Sequence, residues 1–190
     1  NFMYDELWPG GPKFQQSGQA FQLGTDSVLA HFTNTARVRR ILDLGCGGGV
    51  LTVLLTYKAP QAQCIGIEIQ PESAEVCRAN MAANGHDPEG ILLGDLREYR
   101  ELFPAGSFDL VVSNPPYFTQ ESGYSAPEDA RAIARDERNC TLSDLCAAAK
   151  YVLKWGGKFT VVHRPERLSE LLCTMNRNGL EPKRLRMVQY

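Results

Sequence analysis

The sequence predicts an α/β fold with a doubly wound, mostly parallel sheet. Short apolar runs of strand length alternate along the chain with longer segments of helical periodicity. Glycine, proline and capping residues stand where those helices should begin and end. Because two parallel strands are usually joined through a helix, this alternation favours parallel pairing.

The first half of the chain shows the alternation most clearly. Its first apolar run, RRILDL, is followed by a segment of helix length. In the second helical segment, Pro71 suits the first turn, and Asn84-Gly85 supplies a stop signal. We therefore predict a strand over 39–44, a helix over 50–58, a strand over 63–69 and a helix over 71–84.

The second half continues the same pattern. Thr141 is a suitable N-cap for a helix that should end at Gly156-Gly157, and Gly179 follows a further helical segment. We predict strands over 91–95, 108–113 and 158–163, helices over 142–155 and 166–178, and a sixth strand over 183–190.

The composition is that of one globular domain with a sizeable core, because the 190 residues are 43% hydrophobic and 22% charged. No apolar run approaches the roughly 20 residues of a membrane span, and no leader of charged and then apolar residues opens the sequence, so we expect a cytoplasmic protein. The six cysteines include no C-x-x-C pair and have no histidines at metal spacing. They indicate reduced thiols and no metal site.

The charges are distributed unevenly, although the net charge is only -2. Residues 1–130 contain 8 basic and 16 acidic residues, whereas residues 131–190 contain 12 basic and 6 acidic residues. Solvated helix faces would account for this asymmetry, and so would a surface that binds a polyanion.

Polar groups and glycines cluster at the carboxyl ends of the predicted strands, where doubly wound sheets bind ligands. The turn DLGCGGG contains Asp43, and its glycines allow the backbone to approach a ligand closely. It is not the dinucleotide motif G-x-G-x-x-G, which would need a glycine in place of Val50. Glu68 ends the second strand, where it can accept both hydrogens of a ribose diol, and Asp95 ends the third, where it can meet an adenine edge.

The stretch VVSNPPYF follows the fourth strand. Its proline residues would end any strand, and Asn114 can hydrogen-bond locally in a turn. A rigid loop of this composition also holds one amide, one bare carbonyl and one aromatic plane in a fixed relation. That second reading gives the loop a role beyond ending the strand.

Together, DLGCGGG, Glu68, Asp95 and NPPY resemble the class I S-adenosylmethionine-dependent methyltransferases, and NPPY resembles the subset that methylates planar nitrogens. Four further segments, FQLGTDSVLA (21–30), ARDERNCTL (134–142), HRPERL (163–168) and LEPKRL (180–185), look like the bacterial family that methylates the exocyclic amine of an adenine beside the anticodon of a valine tRNA. The resemblance covers nearly the whole chain.

The resemblance implies a Rossmann-like fold over 39–190, with 1–38 as an amino-terminal cap segment over the cofactor. The sheet of that family normally closes with a seventh, antiparallel strand, whereas this sequence reaches only the sixth. S-adenosylmethionine is the implied cofactor, and the implied cofactor-binding residues are Thr25, Asp43, Gly45, Cys46, Gly47, Glu68, Asp95 and Asn114.

The implied chemistry concerns an adenine amine, whose lone pair is delocalised into the ring. The Asn114 side-chain carbonyl and the Pro115 backbone carbonyl would each accept one amine hydrogen and favour the pyramidal nitrogen of the transition state. Tyr117 would stack on the base. These three residues are the catalytic candidates, and Tyr117 is also a substrate-binding candidate.

A tRNA substrate also requires groups that hold phosphates. Arg135 and Arg138 lie in the long connection 119–140, which we interpret as a substrate-gripping lid, and Arg164 follows a strand end. We expect these three arginines to contact the tRNA.

Two other functions remain open. A protein glutamine methyltransferase that acts on a release factor uses the same NPPY chemistry, but it usually carries a helical domain before its catalytic sheet. A non-catalytic nucleotide-binding module would give Asn114 and Tyr117 no role.

Overall fold

The computed structural model describes residues 4–15, 24–115 and 140–188. The strands are β1 (Tyr4–Glu6), β2 (Lys13–Gln15), β3 (Arg40–Leu44), β4 (Gln63–Glu68), β5 (Ile91–Leu93), β6 (Phe108–Ser113) and β7 (Leu153–Val161). The α-helices are α1 (Thr25–Phe32), α2 (Val50–Lys58), α3 (Pro71–Ala83), α4 (Tyr99–Leu102), α5 (Leu142–Val152) and α6 (Leu168–Arg177). Short 3₁₀ helices span Pro88–Gly90, Leu96–Glu98 and Pro165–Arg167.

Five strands form a parallel sheet in the order β5-β4-β3-β6-β7. The chain runs outward from β3 through β4 to β5 and then returns to place β6 on the other side of β3. The direction of winding therefore changes between β3 and β6. Ligands bind at such a switch point, outside the carboxyl ends of the strands, so the turn after β3 and the turn after β6 flank the expected site.

Helices cover both faces of the sheet, as the doubly wound prediction requires. Adjacent residues of β3 point to opposite faces. Ile41 packs with α1 and α2, and Leu42 packs with α5. Two buried clusters result. One includes Leu29, Ile41, Leu51, Leu55, Leu110 and Val112, and the other includes Leu42, Leu44, Val111, Leu145, Ala149 and Val152. The predicted fold class is confirmed.

The hairpin of β1 and β2 was not predicted. Its strands pair antiparallel, with Asp5 opposite Phe14, but each is only three residues long and β1 is fully exposed. Strands this short carry too little alternation for a sequence pattern to reveal them. Phe14, which is 2% exposed, anchors the hairpin in a core cluster formed largely by α3.

Several predicted boundaries shift by one or two residues, the boundary between α5 and β7 shifts further, and one predicted strand is wrong. The helix expected over 142–155 ends at Val152, because Leu153 already pairs with Phe108 as the start of β7. The ladder then skips to Lys158 opposite Leu110, so the intervening residues form a bulge. Residues 183–188 are not a strand, since no described strand pairs with them and most of their side chains are exposed. Residues 189–190 lie outside the described part.

Among the described residues, no helix is both long and apolar enough to cross a membrane.

Candidate functional site

The glycine turn, defined as residues 45–49 between β3 and α2, is held by the neighbouring strand β4. The backbone N–H groups of Gly45 and Cys46 both donate to the carbonyl of Ile67, at 3.0 Å each. The N–H of Gly47 donates to Oε2 of Glu68 at 2.8 Å. Gly45, Gly47 and Gly49 all have positive φ, which other residues adopt at a cost.

Gly49 has a second reason to be glycine. A Cβ at this position would lie 2.5 Å from Sγ of Cys77 on α3, so the helix can pack this closely only against a residue without a side chain. The sulfur of Cys46 also lies near Cys77, and this contact together with burial raises the pKa of the Cys46 thiol. The thiol of Cys46 therefore belongs to the core, although the residue lines the site.

Glu68 supports the turn with both carboxylate oxygens. Its side chain is 8% exposed, and Oε1 accepts the N–H of Gln70 at 2.9 Å while Oε2 accepts that of Gly47. Each carboxylate oxygen has a second lone pair. The carboxylate can therefore accept the hydrogens of a diol without losing its contacts to the backbone.

Asp43 lies under the turn and is 1% exposed. Burial raises the pKa of its carboxyl to about 7, and the nearby charges of Asp26 and Glu68 contribute to this rise. The hydrogen bond from Thr52 acts in the opposite direction and lowers the pKa. The Thr52 hydroxyl donates to Oδ2 of Asp43 at 2.7 Å. A cation bound here would favour the ionised form of this carboxyl.

Asn114 follows β6 directly and is held by the first turn of α1. Its Nδ2 donates to Oγ1 of Thr25 at 2.9 Å and to Oδ1 of Asp26 at 2.8 Å. An amide nitrogen carries two hydrogens, and these two contacts use both. The side-chain carbonyl of Asn114 is then the atom that can accept a hydrogen bond from a ligand.

Thr25 and Asp26 lie in the first turn of α1 but do not cap the helix. α1 begins at Thr25 after Gly24, with no side-chain hydrogen bond at the cap. Both polar side chains are directed to Asn114 instead. Burial raises the pKa of Asp26, and the hydrogen bond from Asn114 opposes this rise.

One pocket joins the glycine turn to Asn114. It brings together most of the predicted cofactor-binding residues, and Glu68 and Thr25 contact its lining without being part of it. The lining residues are Asp26, Asp43, Gly45, Cys46, Gly47, Gly48, Val50, Leu51 and Asn114.

Asp95 does not line this pocket, and its hydrogen bonds are made with a residue close to it in sequence. Its carboxylate caps the 3₁₀ helix that follows β5, through the N–H of Arg97 at 2.9 Å, and it forms an ion pair with the Arg97 guanidinium. The hydrogen bonds with Arg97 lower the pKa of Asp95 despite its partial burial. Its contact with an adenine edge stays a prediction.

The remaining predicted residues divide into two groups. Pro115 is buried next to Asn114, and Arg164 is exposed just beyond β7. Tyr117, Arg135, Arg138 and most of the connection 119–140 lie outside the described residues. No group of metal-ligating side chains occurs in the described part of the chain.

Sequence reasoning missed two residues that shape the site. Thr52 sits on α2 beneath Asp43, and no pattern marks it. Asn80 sits in the interior of α3 and donates to the carbonyl of Gly48 at 2.8 Å. An asparagine inside a helical segment signals that its side chain binds a backbone group, but the sequence does not tell which group.

Comparison with known proteins agrees with this geometry. The sequence profile of the methyltransferase small domain matches residues 16–177. A protein of Porphyromonas gingivalis named tRNA1(Val) (adenine(37)-N6)-methyltransferase is 34% identical over 164 residues, which are 82% of this chain and 64% of that protein. A protein of Aeromonas hydrophila with the same name is 32% identical over 158 residues, which are 81% of this chain and 64% of that protein. The chain thus spans about 64% of the length of these relatives.

Solved structures share the fold. Ribosomal protein L11 methylase from Lactobacillus delbrueckii superposes with a TM-score of 0.62 at 19% identity, over 86% of this chain and 72% of that one. TrmN from Thermus thermophilus gives a TM-score of 0.56 at 18% identity, over 83% of this chain and 40% of that one. The parallel sheet, the pocket at its switch point and the profile match lead to one conclusion: the chain belongs to the methyltransferase small domain family.

Proposed function

We propose that this chain is the catalytic part of an enzyme that transfers a methyl group from S-adenosylmethionine to the exocyclic N6 amine of an adenine in tRNA. The observation that carries the proposal is the fixed amide of Asn114, whose carbonyl is left as the acceptor in the same pocket as the glycine turn. The relatives named as tRNA adenine-N6 methyltransferases support adenine as the target.

The pocket fits S-adenosylmethionine. When bound, this cofactor supplies a methyl group attached to a positively charged sulfonium, and it also carries an ammonium group. The carboxyls of Asp26 and Asp43 line the pocket and suit these cations. Glu68 would hold the ribose diol with its remaining lone pairs, and Asp95 would meet the adenine.

Asn114 and Pro115 would prepare the amine. An adenine amine is a weak nucleophile because its lone pair is shared with the ring. If the two carbonyls each accept one hydrogen, the nitrogen becomes pyramidal and its lone pair is localised, which is the geometry of the transition state. Thr25 and Asp26 prevent the amide of Asn114 from turning its nitrogen towards the substrate. No strong base is needed.

The substrate would be held on the same edge of the sheet. Tyr117 would stack on the target base, and Arg135, Arg138 and Arg164 would contact the phosphates of the tRNA. Residues 1–38 would act as the cap segment, since α1 places Asp26 in the lining of the pocket and Thr25 against Asn114. A tRNA substrate also implies a cytoplasmic site of action.

The test uses the full-length gene and the nucleosides of cellular tRNA. Mass spectrometry should show that N6-methyladenosine is lost from tRNA when the gene is deleted and that it returns when the wild-type gene is restored. An Asn114→Ala gene, expressed to the same level, should not restore it. Unchanged N6-methyladenosine in the deletion strain would overturn the proposal. Loss of a methylated glutamine in a release factor would favour the glutamine reading instead.

A further inference from the structure

The side chain of Asn80 bridges the glycine turn and the hairpin of β1 and β2. It lies in the interior of α3 and is 3% exposed. Its Nδ2 donates to the carbonyl of Gly48 at 2.8 Å, and its Oδ1 accepts the backbone N–H of Gln15 at 2.7 Å. Asparagine is a poor residue for a helix interior, so its presence here needs a reason beyond helix stability.

The contact to Gly48 fixes a peptide plane that the sequence leaves unconstrained. Gly47, Gly48 and Gly49 are consecutive glycines, and a run of glycines can rotate its peptide groups at little steric cost. Strand β4 holds the earlier N–H groups of the turn. The plane between Gly48 and Gly49 is held at one end by the N–H of Gly49, which donates to the carbonyl of Cys46 at 2.9 Å, and at the other end by Asn80.

Asn84 provides the natural comparison, because it docks the same hairpin without touching the turn. Its Nδ2 donates to the carbonyl of Lys13 at 2.7 Å, and its Oδ1 accepts the N–H of Lys13 at 2.8 Å. Lys13 and Gln15 are two residues apart in β2, so both asparagines bind the same edge of that strand. Of these two asparagines, only Asn80 also donates a hydrogen bond to the glycine turn.

We propose that Asn80 is a positioning residue for cofactor binding, which fixes the shape of the glycine turn through its contact with Gly48. The proposal rests on the proposed function, in that the glycine turn is taken as the cofactor site. Asn80 itself does not line the pocket. It acts through Gly48, which lines the pocket and whose carbonyl accepts its hydrogen bond.

The test compares Asn80→Asp with Asn84→Asp in the full-length protein. Asn80→Asp keeps an acceptor for Gln15 but replaces the donor to Gly48 with an oxygen that repels the carbonyl. Asn84→Asp makes the same change against Lys13. Calorimetry should show that Asn80→Asp weakens S-adenosylhomocysteine binding by roughly 5- to 50-fold, as for one lost hydrogen bond to a buried partner, and that Asn84→Asp stays within about twofold of wild type.

Kinetics complete the test, and thermal unfolding shows whether each variant is folded. Asn80→Asp should raise KM for S-adenosylmethionine and leave kcat at saturation within about threefold, because it changes the binding of the cofactor more than the reacting atoms. If Asn80→Asp does not fold, Asn80→Ala is judged by the same affinity criterion. Wild-type affinity in the folded Asn80 variant, or equal weakening in the Asn84 variant, would overturn the inference. If wild type itself fails to bind S-adenosylhomocysteine, the proposed cofactor site fails, and this inference fails with it.

Discussion

The glycine turn after β3 and the Asn114 turn after β6 meet in one pocket but are built differently. In the glycine turn the backbone is the proposed ligand-binding surface, and it is held by Ile67 and Glu68 from β4 and by Asn80 from α3. In the Asn114 turn a single side chain is the proposed catalytic group, and in the described residues the first turn of α1 holds it.

The difference indicates a division of labour. A turn supported from two sides is pre-organised, so its hydrogen bonds are available to a ligand at little cost in ordering. A side chain whose donors are satisfied and whose acceptor is exposed to the pocket can act on a reacting group. We infer that the first turn determines cofactor affinity and that the second determines the rate of transfer.

The largest expected effect comes from removing the acceptor. Asn114→Ala should lower kcat by at least about a hundredfold, as for the loss of one transition-state contact, while S-adenosylhomocysteine affinity stays within about twofold of wild type. Single-turnover assays with saturating cofactor would measure the rate. A variant that methylates tRNA at nearly the wild-type rate would remove Asn114 from the chemistry.

The next effect should come from Glu68. Glu68→Ala removes an acceptor from the ligand and also the support of the Gly47 N–H, so S-adenosylhomocysteine binding should weaken by about 1 to 3 kcal/mol. Glu72→Ala, a change of another glutamate on the adjacent helix α3, serves as the matched control. Equal affinity in calorimetry for wild type and Glu68→Ala would contradict the role given to Glu68.

A smaller effect is expected from Thr25→Val, which keeps the shape of the side chain and removes one acceptor of the Asn114 amide. The value of kcat should fall by roughly 5- to 15-fold, the worth of one hydrogen bond. Because Thr25 is proposed to act through Asn114, the double variant with Asn114→Ala should be no slower than Asn114→Ala alone. A further loss in the double variant would show that Thr25 has another role.

A separate effect, on stability and not on binding or rate, is a pH dependence that comes from Asp43. Burial raises the pKa of this carboxyl from 3.8 to about 7 in the folded protein, so the folded state binds the extra proton between these values. Its contribution to stability is therefore fully present below about pH 4 and is lost as the pH rises through 7. Urea unfolding from pH 5 to 8 should show this decline in wild type and a smaller decline in Asp43→Asn. Parallel curves for the two proteins would contradict the raised pKa.

The fold was predictable because its signals are local. Proline at the start of α3, glycine turns and apolar runs fixed the type and order of the elements of the parallel sheet. The wrong strand over 183–188 has the alternation of a strand, but pairing with a neighbour is not encoded in the segment itself. The β1–β2 hairpin is the opposite case. It was not predicted because it is stabilised by tertiary contacts with Asn80 and Asn84, which its own sequence does not show.

The site was predictable only where it lies at strand ends. Asp43, the glycine turn, Glu68 and Asn114 are there because parallel strands bring their carboxyl ends together. The groups that hold them come from elsewhere in the chain, and their distances in sequence are large. Asn114 reaches Thr25 across 89 positions, and Asn80 reaches Gly48 across 32. No short sequence motif can indicate contacts between residues so far apart in the chain.

The division of labour between the two turns is tested most directly by a double-mutant cycle on Asn114→Ala and Glu68→Ala, with cofactor affinity and single-turnover rate measured on the same four proteins. Asn114→Ala should change the rate, and Glu68→Ala should change the affinity. The double variant should show both losses within about twofold of their product. If Asn114→Ala weakened S-adenosylhomocysteine binding as much as Glu68→Ala does, the two turns would not have these separate roles.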